Sequence, residues 1–297
     1  MARKDTIFER FLAPVVRLFI DEPALQHFYD TTDWQREIER FRQADLSYPP
    51  YYLTENFHGI DGGYLTPGAA VSYDPITHYA LAPGESLVRQ GLIEKVQGRP
   101  RRILDLGCGT GSTTLMLKQA FPQAEVVGLD LSPYMLFMAE RKAGQAGVPI
   151  QFLQANAEQT HFPEASFDLV SASLLFHETP VAVSQAILKE AYRLLTEGGQ
   201  VLILDGHQKM LRQLHWLNNI FEEPYIEDYA AGSLDAWLGA AGFGAVRTED
   251  QWWIHQITCG IKPLVAGEPL AQRQVIQQPL RVPAAVTEIP GHWESRA

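Results

Sequence analysis

Asp105-Leu106-Gly107-Cys108-Gly109-Thr110-Gly111-Ser112 is the stretch on which the fold turns. It follows a short apolar run at residues 103–106 and precedes a segment with Leu117, Ala120 and Phe121 on one helical face, so it joins a strand to a helix. Glycines here let the backbone turn sharply and approach a ligand without side-chain obstruction. The alternation then repeats downstream. Residues 126–130, 150–153, 167–171 and 200–205 read as strands. Ser132-Pro133 and Thr179-Pro180 read as helix starts, a cap followed by proline at the first helical position. The helix after Thr179 carries Ile187, Ala191, Leu194 and Leu195 as a stripe and is expected to stop at Gly198-Gly199. A last helix fits residues 233–241, with Gly242 as its stop, and two final strands fit 245–248 and 252–257. Strands apolar on both faces that alternate with helices predict an α/β fold, a doubly wound, seven-stranded and mostly parallel sheet.

Two flanking zones lack this alternation. Residues 1–98 form an N-terminal helical and aromatic cap: Ile7, Phe8, Phe11, Leu12, Val15, Phe19 and Ile20 recur at helical spacing, as do Trp34, Ile38 and Phe41. The Pro- and Gly-rich stretch from Ser47 to Tyr64 reads as loop. Residues 99–260 are the α/β domain, and 261–297 a tail without period, with five prolines and four glutamines from Pro263 onward.

Composition narrows the function classes. Hydrophobic residues make up 46% and charged residues 20% of 297, enough for a sizeable core. The formal net charge of -11 repels phosphate backbones, so nucleic acid is not the expected partner. Two cysteines, Cys108 and Cys259, supply neither a disulfide framework nor a thiolate zinc site, and a cytoplasmic location is expected. Glu9, Arg10, Arg17 and Asp21 interrupt the N-terminal apolar stretch, so it does not read as a signal peptide, and no uncharged run reaches the ~18 residues of a membrane span. The nine histidines are scattered without metal-ligand spacing, and no metal is expected.

The glycine pattern discriminates among ligands. A dinucleotide fingerprint, G-x-G-x-x-G, needs glycine where Ser112 stands, and no Gly-Lys-Ser/Thr follows for a P-loop. Asp105, two residues before the first glycine, would repel a pyrophosphate and suits a ligand with a positive amino group. Asp130 ends the second strand, where a carboxylate accepts hydrogen bonds from both ribose hydroxyls.

With these motifs in order, the chain resembles class I S-adenosylmethionine-dependent methyltransferases, most of all the ubiquinone/menaquinone-type small-molecule enzymes. The matching text is Ile103 to Gly111, Val127 to Ser132, Asn156-Ala157-Glu158 through Phe162-Pro163, Ser166 to Val170, and the strand before Asp205. The likeness covers roughly residues 100–206 and implies a Rossmann-like fold with S-adenosyl-L-methionine as cofactor and S-adenosyl-L-homocysteine as product. It also implies roles. Asp105 and the backbone of Gly107, Cys108, Gly109 and Gly111 would contact the methionine part, with Ser173 and Tyr73 as further candidates there. Asp130 would hold the ribose, Leu131 would lie beside the adenine, and Asn156 with Ala157 would read the adenine edge. The family usually has Asp where Asn156 stands; the amide oxygen still accepts a hydrogen bond. No Asn/Asp-Pro-Pro-Tyr/Phe follows the fourth strand, which argues against amino-group methylation of bases or glutamine.

Methyl transfer from a sulfonium needs alignment and a dry, electrostatically suited site, plus a base where the acceptor must lose a proton. His177 and Glu178, after the fourth strand, are the catalytic candidates: His177 as base and Glu178 to orient it or stabilise positive charge. Tyr48, Tyr51, Tyr52, Phe57, Tyr64, Tyr73 and Tyr79 cluster in the cap, and Trp216, Phe221 and Tyr225 follow the fifth strand; two or three of these rings are expected to line the pocket of a hydrophobic or aromatic small-molecule acceptor. Cys108 has no basic neighbour to activate it as a nucleophile. The alternatives are a nicotinamide-dependent oxidoreductase and a protein that binds S-adenosylmethionine without turnover.

Overall fold

The computed structural model describes residues 21–81, 83–214 and 224–264, apart from the side chains of residues 59, 79 and 80. The amphipathic stretch at residues 7–20, Trp216, Phe221, the side chain of Tyr79 and the tail beyond residue 264 therefore lie outside the described residues. The cap consists of α1 (Glu22–Thr31), α2 (Trp34–Glu39), α3 (Pro50–Thr54), a 3-10 turn at Phe57–Gly59, α4 (Pro67–Ala80) and α5 (Glu85–Glu94). There follow β1 (Arg102–Leu106), α6 (Ser112–Ala120), β2 (Glu125–Asp130), α7 (Pro133–Gln145), β3 (Gln151–Gln154) and β4 (Phe167–Ser173). A 3-10 turn at Phe176–Glu178 leads to α8 (Val181–Leu194), β5 (Leu195–Gly206), α9 (Gln208–Gln213), α10 (Ile226–Ala231), α11 (Leu234–Ala241), β6 (Gly244–Gln251) and β7 (His255–Ile261).

The seven strands form one sheet in the order β3-β2-β1-β4-β5-β7-β6. β1 to β5 pair in parallel, and β7 lies antiparallel to both β5 and β6. The order reverses beside β1, so the loops after β1 and β4 diverge to opposite faces and leave a crevice at the carboxyl end of the sheet. Every residue of β1 is buried, because each face is covered. Leu104 and Leu106 join Ile187, Leu188 and Trp237 in one core; Ile103, Leu169 and Leu202 meet Val88 and Leu92 of α5 in the other. Among the described residues, no helix is long and apolar enough to cross a membrane.

The structure differs from the sequence reading in several places, each with a local cause. Ser132 caps α7 by accepting from the Met135 N–H at 3.2 Å, but Thr179 caps nothing. Its hydroxyl turns inward to Ser184 Oγ at 2.7 Å, and Pro180 takes the cap position. Gly198-Gly199 does not end α8. Gly198, at φ +75°, sits in β5 where the register with β4 shifts, a bulge that lets the strand start at Leu195. The supposed loop from Ser47 to Tyr64 contains α3 and a 3-10 turn. Ile261 closes β7, and Lys262 exchanges backbone hydrogen bonds with Gly198 and Gly199 at 2.9 Å, so the first residues assigned to the tail belong to the sheet edge.

The last strand also starts later than expected. Trp252 and Trp253 do not enter β7; they form the β6–β7 turn with φ of +50° and +61°, and Trp253 is 86% exposed. Left-handed backbone is costly for a side chain that gains no burial there. Replacing Trp253 with glycine is expected to raise the unfolding free energy by about 0.5–1 kcal/mol, read from urea denaturation.

Candidate functional site

The crevice opens into a cleft walled by the glycine loop, the ends of β2 and β4 and the aromatic cap. Gly107, Gly109 and Gly111 all have positive φ, between +53° and +77°. Gly109 is the most telling: nothing lies within 4 Å of where a Cβ would stand, so the bare backbone faces the cleft. Cys108 N–H donates to Leu129 O at 2.9 Å, which ties the loop to β2. On the outer side, Thr110 Oγ1 donates to Asp74 Oδ1 at 2.5 Å, and Lys142 Nζ donates to Asp74, Thr110 and Ser112 at 2.8–3.2 Å. Loop, α4 and α7 are thus cross-linked at one rim.

Asp130 sits at the tip of β2 with both oxygens oriented. Oδ2 accepts from Gly109 N–H at 2.9 Å and Oδ1 from Ser132 N–H at 2.8 Å. Burial pushes its carboxyl up to about 6, against the pull of those two N–H groups. Asp105 also lines the cleft but is 1% exposed, and its oxygens already accept from Thr114 Oγ1 at 2.6 Å and Ser171 Oγ at 2.7 Å. Burial raises this carboxyl too, with the two hydroxyls opposing. Its visible work is to brace the loop. Leu131, Asn156, Ala157, Ser173 and Tyr73 line the same cleft. Asn156 Oδ1 accepts from Glu158 N–H at 2.9 Å, an Asx turn that fixes the side chain at the wall. Cys108 is a wall residue whose thiol burial pushes well above its ordinary range, so it stays a neutral thiol.

The two residues after β4 part company. Glu178 lines the cleft, and its Oε1 accepts from Tyr64 OH at 2.6 Å with His58 Nε2 at 3.4 Å. His177 is not on the cleft wall. Its Nδ1 lies 2.5 Å from Oδ1 of the fully buried Asp205, and its Nε2 is 4.0 Å from Glu178 Oε1. Asp205 takes the ring because its end of β5 also receives the Phe176 and Gly206 N–H groups, at 2.8 and 2.7 Å. Five cap rings line the cleft, Tyr51, Tyr52, Phe57, Tyr64 and Tyr73, more than the two or three expected. Tyr48 instead accepts from Gln154 Nε2 at 2.7 Å, and Tyr225 packs edge-on to Tyr51. Burial raises the hydroxyls of Tyr51, Tyr52 and Tyr73 above the ordinary phenol range, so they remain neutral.

Sequence reasoning missed Arg89, Thr113, Asp74 and Lys142. Arg89 lies on α5 inside what reads as cap, and no spacing rule links it to the glycine loop; only the packing of α5 against α6 brings it to the wall.

Residues 103–199 match a family described as "Methyltransferase domain". The demethylmenaquinone methyltransferase of Thermus thermophilus is 44% identical over 106 residues, 36% of this chain and 47% of that protein. Its counterpart in Deinococcus radiodurans is 38% identical over 117 residues, 39% and 48%. The chain thus spans about half the length of these two relatives. An uncharacterized methyltransferase of Synechocystis sp. is 34% identical over 181 residues, 58% of this chain and 73% of that protein. The chain belongs to the class I S-adenosylmethionine-dependent methyltransferases. Among solved structures, a SAM-dependent methyltransferase from Aquifex aeolicus shares the fold at a TM-score of 0.53 and 18% identity, over 66% of this chain and 98% of that one. Phosphoethanolamine N-methyltransferase 2 of Haemonchus contortus does so at 0.52 and 16%, over 67% and 58%. The family's cofactor is S-adenosylmethionine, which replaces the nicotinamide alternative, and the open backbone at Gly109 beside Asp130 fits a nucleoside with an amino-acid arm.

Thr114→Val tests the bracing of the loop. Removing one of two donors to the buried Asp105 carboxylate is expected to cost about 1–3 kcal/mol in urea unfolding.

Proposed function

We propose that this chain transfers a methyl group from S-adenosylmethionine to oxygen or carbon of a hydrophobic, hydroxylated aromatic small molecule, with a quinol ring the best fit. One observation carries the reading: a single cleft has the glycine loop and Asp130 on one wall and five aromatic rings with Glu178 on another. When bound, the cofactor supplies a methyl group already activated on a sulfonium. Asp130 would hold the ribose hydroxyls and Leu131 would flank the adenine. Asn156 and Ala157 would meet the adenine edge. The loop backbone from Gly107 to Gly111, including Cys108, would carry the amino-acid arm with Asp105, Ser173 and Tyr73 near it.

At the acceptor side, the rings exclude water and pack the faces of a planar substrate. With Tyr51, Tyr52 and Tyr73 held neutral, Glu178 is the group suited to take a proton from a ring hydroxyl as the acceptor becomes nucleophilic. His177, fixed by Asp205, acts behind Glu178 as a positioning residue. The names of the Thermus and Deinococcus relatives support a quinone-type acceptor. The acidic net charge of -11 favours a small molecule over nucleic acid.

The direct trial uses labelled S-adenosylmethionine with a reduced polyprenyl naphthoquinone lacking its ring methyl. Methylated product supports the reading; absence of product with this and with simple phenols would leave a binding protein without turnover. Glu178→Gln is expected to lower kcat about 100-fold while S-adenosylhomocysteine affinity stays within about twofold. Asp130 gives a pH signature. Ribose hydroxyls donate to the ionised carboxylate, so S-adenosylhomocysteine affinity should rise as pH increases through about 6 and level off above it. Asp130→Asn should weaken binding and flatten that profile in calorimetric titrations.

A further inference from the structure

Trp252 and Trp253 stand side by side in the β6–β7 turn, 50% and 86% exposed, with φ of +50° and +61°. Two large apolar rings thus stay in water on backbone that strains any side chain, and strain that brings no burial points to a use for the rings. The turn is firmly held. His207 N–H donates to Ile254 O at 2.8 Å, and His207 Nε2 lies 2.9 Å from Asp250 Oδ1. Gln251 Nε2 donates to Val88 O at 3.3 Å and Leu87 O at 3.5 Å, which sets the exposed Leu87 beside the turn. His255, directly after the turn, pairs with Gly206 at the end of β5. The rings therefore lie at the carboxyl edge of the sheet, the edge that holds the cleft.

We propose that the Trp252–Trp253 turn is a membrane anchor: the two indoles enter the interfacial layer of a bilayer and seat the cleft edge of the sheet against the surface that carries a hydrophobic acceptor. This rests on the reading of the acceptor as hydrophobic. Indole suits that depth, because its rings leave water while its N–H still reaches headgroups. Local charge is complementary to an anionic surface, although the whole chain carries -11. The acids beside the turn are engaged, Asp250 by His207 at 2.9 Å and Glu249 by Lys95 at 2.5 Å. Lys209, two residues past His207, is exposed and supplies a cation next to the rings. Area argues against a protein in this place. Two indoles so exposed offer roughly 300 Å², against about 800 Å² per partner in a stable protein interface. A bilayer takes so small a wedge.

Vesicles free of acceptor test the turn by itself. The unaltered protein is expected to co-sediment with vesicles of equal parts phosphatidylcholine and phosphatidylglycerol. The double variant Trp252→Asn, Trp253→Asn should bind them about 10-fold more weakly, asparagine being a residue that tolerates left-handed backbone. Acyl chains brominated near the headgroup should quench part of the indole emission of the unaltered protein, a measurement that stands if the double variant does not fold. The variant should methylate a water-soluble, short-chain hydroxyaromatic within about twofold of the unaltered rate, while its KM for a polyprenyl acceptor carried in the same vesicles rises about 10-fold. A protein that stays in the supernatant unquenched, or a double variant that binds vesicles as tightly as the unaltered chain, would overturn the anchor. So would a dimer in light scattering that the double variant dissolves, since a second copy would then cover the rings. Vesicle binding through the rings without methylation of either acceptor would uphold the anchor and overturn the acceptor reading.

Discussion

The site depends on one clasp: the Asp130 carboxylate accepting the Gly109 and Ser132 N–H groups at once. The first bond pins the crown of the glycine loop to the end of β2, and the second sets the start of α7. Loop and helix meet again at the rim, where Lys142 of α7 donates to Thr110 and Ser112. A charged acceptor with two backbone donors is a strong local constraint. It also leaves the carboxylate at the cleft wall, half-buried and with lone pairs to spare, so the group that shapes the loop is also the one we propose for the ribose.

Around that clasp the molecule divides its labour. The sheet supplies rigid strand ends, buried on both faces, and therefore fixes positions to the accuracy of a packed core. The cap supplies aromatic surface. Phe57, Tyr64 and Met135 belong to one small core that spans cap and α7, so the rings that wall the cleft are held by the same helix whose start Asp130 sets. Tyr64 adds a second link: its backbone carbonyl accepts from Ser132 Oγ at 2.7 Å, and its hydroxyl donates to Glu178. The Asp130 wall and the Glu178 wall of the cleft are therefore connected through Tyr64 and Ser132.

Much of this was legible in the amino-acid order. Strand–loop–helix alternation is local, and the period of the apolar residues reports it directly; β1, β2 and β4 lie where the pattern put them. Glycines and the strand-end acid are likewise local signals, and Asp105, Asp130 and Asn156 do meet in one cleft. What escaped was set by tertiary packing. Thr179 has the sequence of a cap, but a buried partner, Ser184, outcompetes the helix end. His177 has the chemistry of a base, but Asp205, distant in sequence, holds its Nδ1, and the residue is not part of the cleft wall. Trp252-Trp253 has strand-like composition, yet β5 and β7 fix a register that leaves the pair in the turn. Arg89 carries no local mark at all, because its place follows from how α5 docks on α6.

A crystal structure with S-adenosylhomocysteine bound is the most direct measurement of the central claim. The account predicts both ribose hydroxyls on Asp130, the amino-acid arm along the Gly107–Gly111 backbone, and the sulfur facing the space bounded by Glu178 and Tyr64. A nucleoside bound elsewhere, or an Asp130 carboxylate that makes no contact with it, would contradict the account.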